Sequence, residues 1–241
     1  LVNESAGQLH DLRSLDGPIV LTGGGWTSNT DGRAQFTSSA VSEEYAKTSG
    51  SPYYGETTMI VRARRRGGLG QNRGIASHYT TEGTPGDWWL YFNGSDVMIV
   101  DIPYVLGSVV IGTTTVVDSR IHIIGMVRFG STGSWTYKLY FDGKEDGSAT
   151  TITNPGNTGA QDLYLQQRAA GAGATNNGLL DISFACRLNK ALSATDFLEL
   201  SAEPYAFLQP VIRRRYFVPV AAAGAASTVT PRSFALLGVG A

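Results

Sequence analysis

Cysteine, charge and long apolar runs are all scarce in this chain. One cysteine in 241 residues, Cys186, excludes an internal disulfide and a cysteine-rich zinc site. Charged residues make up 16% of the chain, against ~25% in average soluble proteins. The formal net charge of −1 excludes a global field that would draw the protein to DNA or to a membrane surface. No run approaches the ~20 apolar residues of a transmembrane helix.

Glycine, by contrast, is abundant. The chain has 30 glycines, about 12% of its residues against a usual ~7%. Ser, Thr and Tyr are frequent too, whereas helical proteins need many Ala, Leu, Glu and Lys. The composition therefore predicts a turn-rich all-β protein. At ~100–200 residues per domain, the length fits one large domain or two small ones.

Eight short extended runs, bounded by Gly, Asn, Asp and Ser, predict β-strands. Their β-branched and aromatic content and their partial period-two alternation are typical of strands. Two of the connections, Asn93-Gly94 and Asp142-Gly143, have the composition of hairpin turns. Strands at ~8–12-residue spacing predict an antiparallel β-sandwich or jelly roll. The predicted strands cover residues 57–64, 88–92, 97–101, 109–117, 121–129, 135–141, 163–165 and 179–188.

One helix is predicted near residues 193–201. Ser193 has the character of an N-cap, and Asp196 follows three residues later, as in a capping box. Pro204 bounds the segment on its far side.

The composition changes after Gln209, where we expect a jelly-roll domain (1–208) to give way to an extended C-terminal arm (209–241). The arm carries too little apolar area to offset its ordering entropy alone, so we expect it to pack on a neighbouring subunit. The candidate partner-binding residues are an arginine cluster and the aromatic-rich run that follows it: Arg213, Arg214, Arg215, Tyr216, Phe217 and Val218.

Five segments resemble, in order and spacing, the laminin-G-like, concanavalin-type jelly-roll family. The hairpin Leu139-Tyr140-Phe141-Asp142-Gly143 is similar to the family's L-Y-V-D-G segment. The resemblance implies a concanavalin-like antiparallel β-sandwich with one short helix and, after it, the extended C-terminal arm. The other matching segments are 8–12, Trp26 with 32–36, 121–127, and 178–184 with 191–197.

Two further expectations come from this resemblance. The segment after the last helix resembles virion-associated members of the family encoded by phages and prophages. Calcium is common in the family, but no ligand set can be matched here. Asp87, Asp96 and Asp101 are loose candidates only, so no cofactor is predicted.

The sequence lacks the residue patterns of known catalytic sites. Glycanases of this fold carry Glu-x-Asp-x-x-Glu on one strand, where alternate residues face one sugar, and no such triplet is present. Glu145 and Asp146 are adjacent in a hairpin, which predicts a solvated turn. The chain also lacks a G-x-S-x-G elbow, an H-E-x-x-H motif and a Walker A loop. We therefore predict that the protein is not an enzyme.

An aromatic run could form a sugar-binding platform, because aromatic rings stack on the C–H faces of sugars and amides bond their hydroxyls. In a strand, Trp89 and Tyr91 share one side, whereas Trp88 and Leu90 share the other, and one side is core. The alternative is that most of these aromatics are core. The candidate carbohydrate-binding residues are Trp88, Trp89, Tyr91, Asn93 and Trp135, the last in a Gly/Ser-rich loop that could expose it.

A basic cluster occupies the end of the first strong strand. Arg62, Arg64 and Arg66 would line one face of that strand, with Arg65 on the other. The functional interpretation is an acidic partner, such as a capsid surface, a phosphate or an anionic glycan. The alternative is a solvated sheet face.

From these observations we predict mainly that the protein is a non-enzymatic structural component of a virion. It would be a capsid decoration, fibre or tail component on the particle surface. Its jelly roll would be displayed, and its arm would dock on other virion proteins or on copies of itself. The alternative is a carbohydrate-binding adhesin or lectin module that recognises surface glycans. No membrane partner is predicted, and a nucleic-acid role rests on arginine clusters alone.

Overall fold

A computed structural model describes residues 8–9, 19–22, 25–28, 34–37, 45–51, 55–67, 69–78, 88–102, 109–153, 161–166 and 179–203. The elements within these ranges, in chain order, are β1 (Gln8–Leu9), β2 (Ile19–Thr22), β3 (Gly25–Ser28), β4 (Ala34–Thr37), β5 (Tyr45–Ser51), β6 (Thr57–Arg65), β7 (Arg73–His78), β8 (Trp88–Phe92), β9 (Val97–Asp101), β10 (Val109–Thr115), β11 (Ile121–Ser131), β12 (Ser134–Phe141), β13 (Lys144–Glu145), β14 (Thr150–Ile152), β15 (Gln161–Leu165), β16 (Leu180–Leu188) and α1 (Ala194–Ala202).

The strands form two antiparallel sheets. Sheet A has the order β1-β2-β5-β15-β7-β8-β9-β10. Sheet B has the order β13-β12-β11-β6-β16-β4-β3, with β14 also pairing to β12. Neighbours in each sheet come from distant parts of the sequence, such as β6 and β16. The predicted fold class is confirmed: an all-β, concanavalin-like jelly-roll sandwich with one short helix. The predicted arm and the boundary at residue 208 lie outside the described residues.

The main core lies between the two sheets. Successive side chains of a strand point to opposite faces. In β8, Trp88, Leu90 and Phe92 therefore enter the core together. Ile124 and Met126 of β11 enter it from sheet B. Each fully buried side chain of this kind contributes about 1.5–3 kcal/mol relative to an exposed one.

Both predicted hairpin turns are confirmed. The Asn93 amide donates to the Val97 carbonyl (2.9 Å), which closes the β8–β9 hairpin. Asp142 and Gly143 both have positive φ, 47° and 81°, and join β12 to β13. Two central residues with positive φ match the twist of the flanking strands, which is why Asp-Gly is favoured there.

Two predicted strand ends are too long. The predicted strand 109–117 ends at Thr115 because the Val116 amide donates instead to the Asp96 carbonyl (2.9 Å). The predicted strand 179–188 begins at Leu180 because Leu179 has a φ of 47°, which breaks the extended conformation.

The helix α1 is confirmed with its predicted cap. Ser193 Oγ accepts a hydrogen bond from the Asp196 amide (3.2 Å), and Asp196 Oδ2 accepts one from the Ser193 amide (2.7 Å). The helix packs on the outer face of sheet B through Phe197, whose ring stacks on Tyr140 at 4.1 Å. At nine residues, α1 is too short to cross a membrane, and the described residues contain no membrane-spanning helix.

Candidate functional site

Two of the predicted platform residues belong to the main core. Trp88 is 1% exposed and Trp135 is 4% exposed, and both pack in the cluster between the sheets. Trp135 also lies beneath the Arg128 guanidinium, 5.3 Å from its ring. Neither ring offers a face to a sugar, so the core alternative holds for these two. The expectation of an exposed Trp135 was wrong because the residue belongs to β12 and its side chain points inward.

Trp89 and Tyr91 lie on the opposite face of β8, as the alternation predicted. Their rings stack on one another at 3.9 Å, and they form a small cluster with Ile99. Trp89 is 4% and Tyr91 9% exposed, which leaves no open platform at this position. The flat faces of the two rings pack against each other and are therefore not available to a ligand.

Asn93 has a structural role in the hairpin turn. Its side-chain Oδ1 accepts hydrogen bonds from the Ser95 amide (2.9 Å) and the Val97 amide (3.0 Å). An asparagine that bonds the backbone two residues ahead is typical of turns. The five predicted carbohydrate-binding residues therefore do not come together as one exposed site.

The loose calcium candidates do not form a ligand set either. Asp87 lies outside the described residues, and Asp101 is half-buried on β9. Asp96 Oδ1 contacts Arg65 Nη2 (2.8 Å) and accepts the Gly70 amide (2.9 Å). Within the described ranges no three His, Cys, Asp or Glu side chains are grouped as a metal would require.

The predicted partner-binding segment, Arg213 to Val218, lies outside the described residues. The docking of the arm on neighbouring subunits, the virion role and the location on a particle surface therefore stay untested predictions.

The predicted arginine alignment is present on the outer face of sheet B. Because Val61 and Ala63 point into the core, Arg62 and Arg64 point outward, and Arg66 follows just beyond the end of β6. We call the outward surface formed by Arg62, Arg64, Arg66, Ile121, Asp181 and Ser183 the arginine face.

One buried carboxylate holds two of these guanidinium groups. Arg64 Nε (2.9 Å) and Nη2 (2.5 Å) both donate to Asp181 Oδ2. Arg66 Nε lies 2.8 Å from Asp181 Oδ1. The Asp181 side chain is 1% exposed, whereas those of Arg64 and Arg66 are each 35% exposed. The carboxylate thus lies beneath two guanidinium groups that reach solvent.

The neighbouring positions extend this surface. Arg62 Nη1 donates to Ser183 Oγ (2.7 Å), which fixes a third guanidinium on the same face. Ile121 pairs with Arg64 in the ladder between β11 and β6 and is 37% exposed. Ile123, opposite Arg62, belongs to the apolar cluster under α1. The arginine face therefore combines fixed cations, a hydroxyl and an apolar side chain beside the helix.

A second charged cluster lies at the rim of the sandwich around His122. Its Nδ1 lies 2.7 Å from Asp142 Oδ2, and its Nε2 lies 2.7 Å from Asp118 Oδ1. Carboxylates only accept, so both contacts are hydrogen bonds when the imidazole is doubly protonated. The ring also packs on Phe141 at 4.6 Å. We call this arrangement the histidine clamp.

The clamp shifts the pKa of each of its members. The hydrogen bond to Asp142 is the largest cause that raises the pKa of His122 above its ordinary value, and the bond to Asp118 adds to it. Hydrogen bonds from His122 and Arg120 hold the pKa of Asp118 well below its usual range. Burial raises the pKa of Asp142, but the bonds from His122 and the Ile123 amide outweigh it, so the net direction is down. The clamp joins the β10–β11 connection to the Asp142-Gly143 turn.

The sequence missed the role of Asp146. A solvated turn was predicted, but Asp146 is 3% exposed. Its Oδ1 accepts from the amides of Thr113 and Thr114 (2.9 Å each) and from both their hydroxyls. The carboxylate thereby joins the edge of sheet A to sheet B. The local Asp146-Gly147 pattern is typical of a turn and gives no sign of partners 33 residues away.

No protein-family model matches the chain, and no curated protein matches its sequence. Solved structures do match its fold. Domain 4 of AbnA, an extracellular arabinanase from Geobacillus stearothermophilus solved with arabinotriose, superposes with a TM-score of 0.55. The identity is 12%, and the match covers 77% of this chain and 88% of that one.

Two other solved structures have the same sandwich. The heptameric pentraxin of Limulus polyphemus matches with a TM-score of 0.51 and 12% identity, over 68% of this chain and 78% of that one. A structure of botulinum neurotoxin type C, whose cell entry depends on interaction with two ganglioside molecules, matches with a TM-score of 0.54 and 11% identity. That match covers 80% of this chain but 46% of the toxin chain. These likenesses show the fold, a jelly-roll β-sandwich, and nothing in the comparisons supports a phage or virion origin.

Proposed function

We propose that this protein is a carbohydrate-binding jelly-roll module that recognises glycans and does not cleave them. The observation that carries the proposal is the fold shared with an arabinanase domain solved with arabinotriose, over most of both chains. The neurotoxin, whose cell entry depends on interaction with two ganglioside molecules, is a second glycan-recognising protein that contains this sandwich. The sequence also lacks the carboxylate triplet that glycanases of this fold carry.

The binding surface of the proposal is the arginine face. The candidate aromatic residues of β8 and β12, Trp88, Trp89, Tyr91 and Trp135, are buried, so they offer no ring to a sugar. The arginine face has the side-chain N–H donors of Arg64 and Arg66 and the exposed Ile121, and the Ser183 hydroxyl, bonded to Arg62, holds that guanidinium in place. Sugars present hydroxyls at their edges and C–H groups on their faces, so a site needs a few fixed polar groups beside an apolar one. β6, β11 and β16 hold these groups on one sheet.

A glycan array probed with the full chain tests the function. We expect selective retention of a small set of oligosaccharides and, on incubation with those ligands, no shorter product by mass spectrometry. A folded chain that retains no glycan would overturn the proposal. Release of a shorter product would replace it with a catalytic function.

A matched pair of variants tests the surface. Ile121→Ser removes an exposed isoleucine from the arginine face, and Ile111→Ser removes one that is 52% exposed on β10 of sheet A. We expect several-fold weaker binding of the array ligand for Ile121→Ser and unchanged binding for Ile111→Ser. Equal effects of the two substitutions would place the binding surface elsewhere.

A further inference from the structure

We propose that Arg64 and Arg66 form a binding site for the carboxylate or sulfate group of an acidic glycan. The inference rests on the proposed function and names the chemical class of its ligand. It starts from the observation that one carboxylate, that of Asp181, pairs with the guanidinium groups of both Arg64 and Arg66.

The first argument is the number of hydrogen-bond donors. Each guanidinium carries five N–H groups, and a carboxylate has about four lone-pair sites. Two guanidinium groups therefore bring about ten donors to about four acceptor sites. Asp181 is the one side chain that is hydrogen-bonded to or ion-paired with Arg64 or Arg66 in the described part of the protein. At least half of the donors are left for a ligand or for water.

The second argument is charge and position. Two cations and one anion leave a local charge of +1, and the anion is the buried member. The exposed cations are 35% accessible, so an approaching ligand meets guanidinium edges before it meets the carboxylate. Arginine forks match carboxylate and sulfate oxygens in a bidentate manner, and such charge-assisted bonds are about twice as strong as neutral ones.

The third argument is that the site is already ordered. Asp181 fixes Arg64 through two of its nitrogens, and the Arg66 amide donates to the Leu179 carbonyl (2.9 Å). Side chains held in place lose less entropy when they bind a ligand. Ile121 lies opposite Arg64 in the ladder, where it can pack on the C–H face of the sugar that carries the acid. This combination distinguishes an acidic sugar from a free inorganic anion, which would gain nothing from Ile121.

Calorimetric titration of the full chain tests the site. The probes are sialyllactose, a galacturonate trimer, a heparin-derived tetrasaccharide, lactose as the neutral sugar and inorganic sulfate as the free anion. We expect at least one acidic oligosaccharide to bind about tenfold or more tightly than lactose, as one charge-assisted hydrogen bond predicts. The carboxylate and sulfate probes tell the two acid groups apart.

Arg64→Gln and Arg66→Gln each remove one cation while the other arginine still pairs with Asp181. We expect each to weaken the acidic ligand about tenfold, with lactose unaffected. Arg66→Lys keeps the positive charge but not the bidentate guanidinium, so we expect it to bind the acidic ligand more tightly than Arg66→Gln and less tightly than the unmodified protein. Lys144→Gln, at the exposed edge strand β13, removes the same charge and should leave binding unchanged. Inorganic sulfate should compete with the acidic ligand on the unmodified protein, which tests the site without any substitution.

The outcomes separate this inference from the proposed function. If acidic and neutral glycans bind equally, or if the arginine variants match Lys144→Gln, the inference fails and the glycan-binding function stands. If sulfate binds as tightly as every acidic sugar, the site is an anion site and the inference fails. If none of these oligosaccharides binds but the glycan array retains other ligands, the inference alone fails; if the array of the folded chain is also empty, both proposals fail.

Discussion

The ring of Phe197 lies directly on the backbone of Gly125. A Cβ built at Gly125 would fall inside the van der Waals surface of Phe197 Cε1 and Cζ. Gly125 is in the middle of β11, where it pairs with Ile60 on one side and Tyr140 on the other. The absence of a side chain at this one position therefore lets α1 pack against sheet B.

The first prediction concerns this contact. Gly125→Ala should lower the free energy of unfolding by about 1–3 kcal/mol, the usual cost of an extra methyl group in a packed core. Phe197→Leu alone should also destabilise the protein. The double variant should be less destabilised than the sum of the two, because the shorter side chain makes room for the new Cβ. Urea denaturation measures all three, and strict additivity would contradict the contact.

The second prediction concerns the buried carboxylate that joins the two sheets. Asp146→Ala removes the acceptor of two amides and two hydroxyls, so we expect a loss of about 2–3 kcal/mol in the free energy of unfolding. Glu145→Ala is the matched control, because among the described residues the side chain of Glu145 pairs only with Lys138 (2.8 Å), at the surface. A surface pair of this kind contributes about 0–1 kcal/mol. Equal stability of the two variants in urea would show that the Asp146 hydrogen bonds between the sheets do not stabilise the fold.

The third prediction concerns the pairing of Arg65 with Asp96. The Arg65 side chain is 2% exposed and that of Asp96 14% exposed, with Nη2 and Oδ1 2.8 Å apart. Asn tolerates the φ of 60° at position 96, so Asp96→Asn tests the charge alone. We expect a loss of about 2 kcal/mol, since hydrogen bonds to charged groups contribute about 1.5–3 kcal/mol. The thermal unfolding midpoint of Asp96→Asn measures this effect. The control is Glu145→Gln, which removes an exposed carboxylate. Equal midpoints of the two variants would show that the charge of Asp96 does not stabilise the fold.

The fourth prediction concerns pH and the histidine clamp. The pKa of His122 is raised in the folded protein, so its contribution to stability is fully present below its unfolded pKa of ~6.5 and is lost as pH rises through the higher folded value. The pKa values of Asp118 and Asp142 are lowered. Their contribution to stability is therefore present above pH ~4, the unfolded pKa of an aspartate, and is lost as pH falls through their pKa values in the folded protein. The clamp stabilises the fold most between these two limits.

Urea denaturation from mildly acidic to mildly alkaline pH measures this effect. We expect the unmodified protein to lose stability as pH rises above ~6.5, relative to His122→Phe, which keeps an aromatic ring beside Phe141 without a titrating group. Parallel pH profiles for the two proteins would show that the clamp does not contribute.

The amino-acid sequence predicted the helix of this protein and eight of its sixteen described strands. The strands 88–92 and 97–101 have the bounds that were predicted, and both Gly-containing hairpin turns are present. The cap of α1 is formed by the predicted Ser193 and Asp196. These features depend on residues a few positions apart, and local backbone preferences suffice to fix them.

The site could be predicted only in part. The alternation of β6 correctly predicted that Arg62, Arg64 and Arg66 share a face. It could not predict the partner, because Asp181 is 117 residues from Arg64 and reaches it only when β16 pairs with β6. The same alternation separated Trp89 from Trp88, but it could not tell which rings would be covered. Exposure depends on what packs against a face, and no local pattern carries that information.

The sequence by itself determined both hairpin turns, the capped helix, half of the strands and which residues of those strands share a face, because these follow from φ/ψ preferences and the period of two along a strand. The tertiary structure alone decided that Asp181 lies under two arginines, that Asp146 joins two sheets and that Trp135 is core. Each of these depends on contacts between segments far apart in the chain. The free energy of such contacts is set by burial and by the pairing of charges, and both exist only after the sheets have come together.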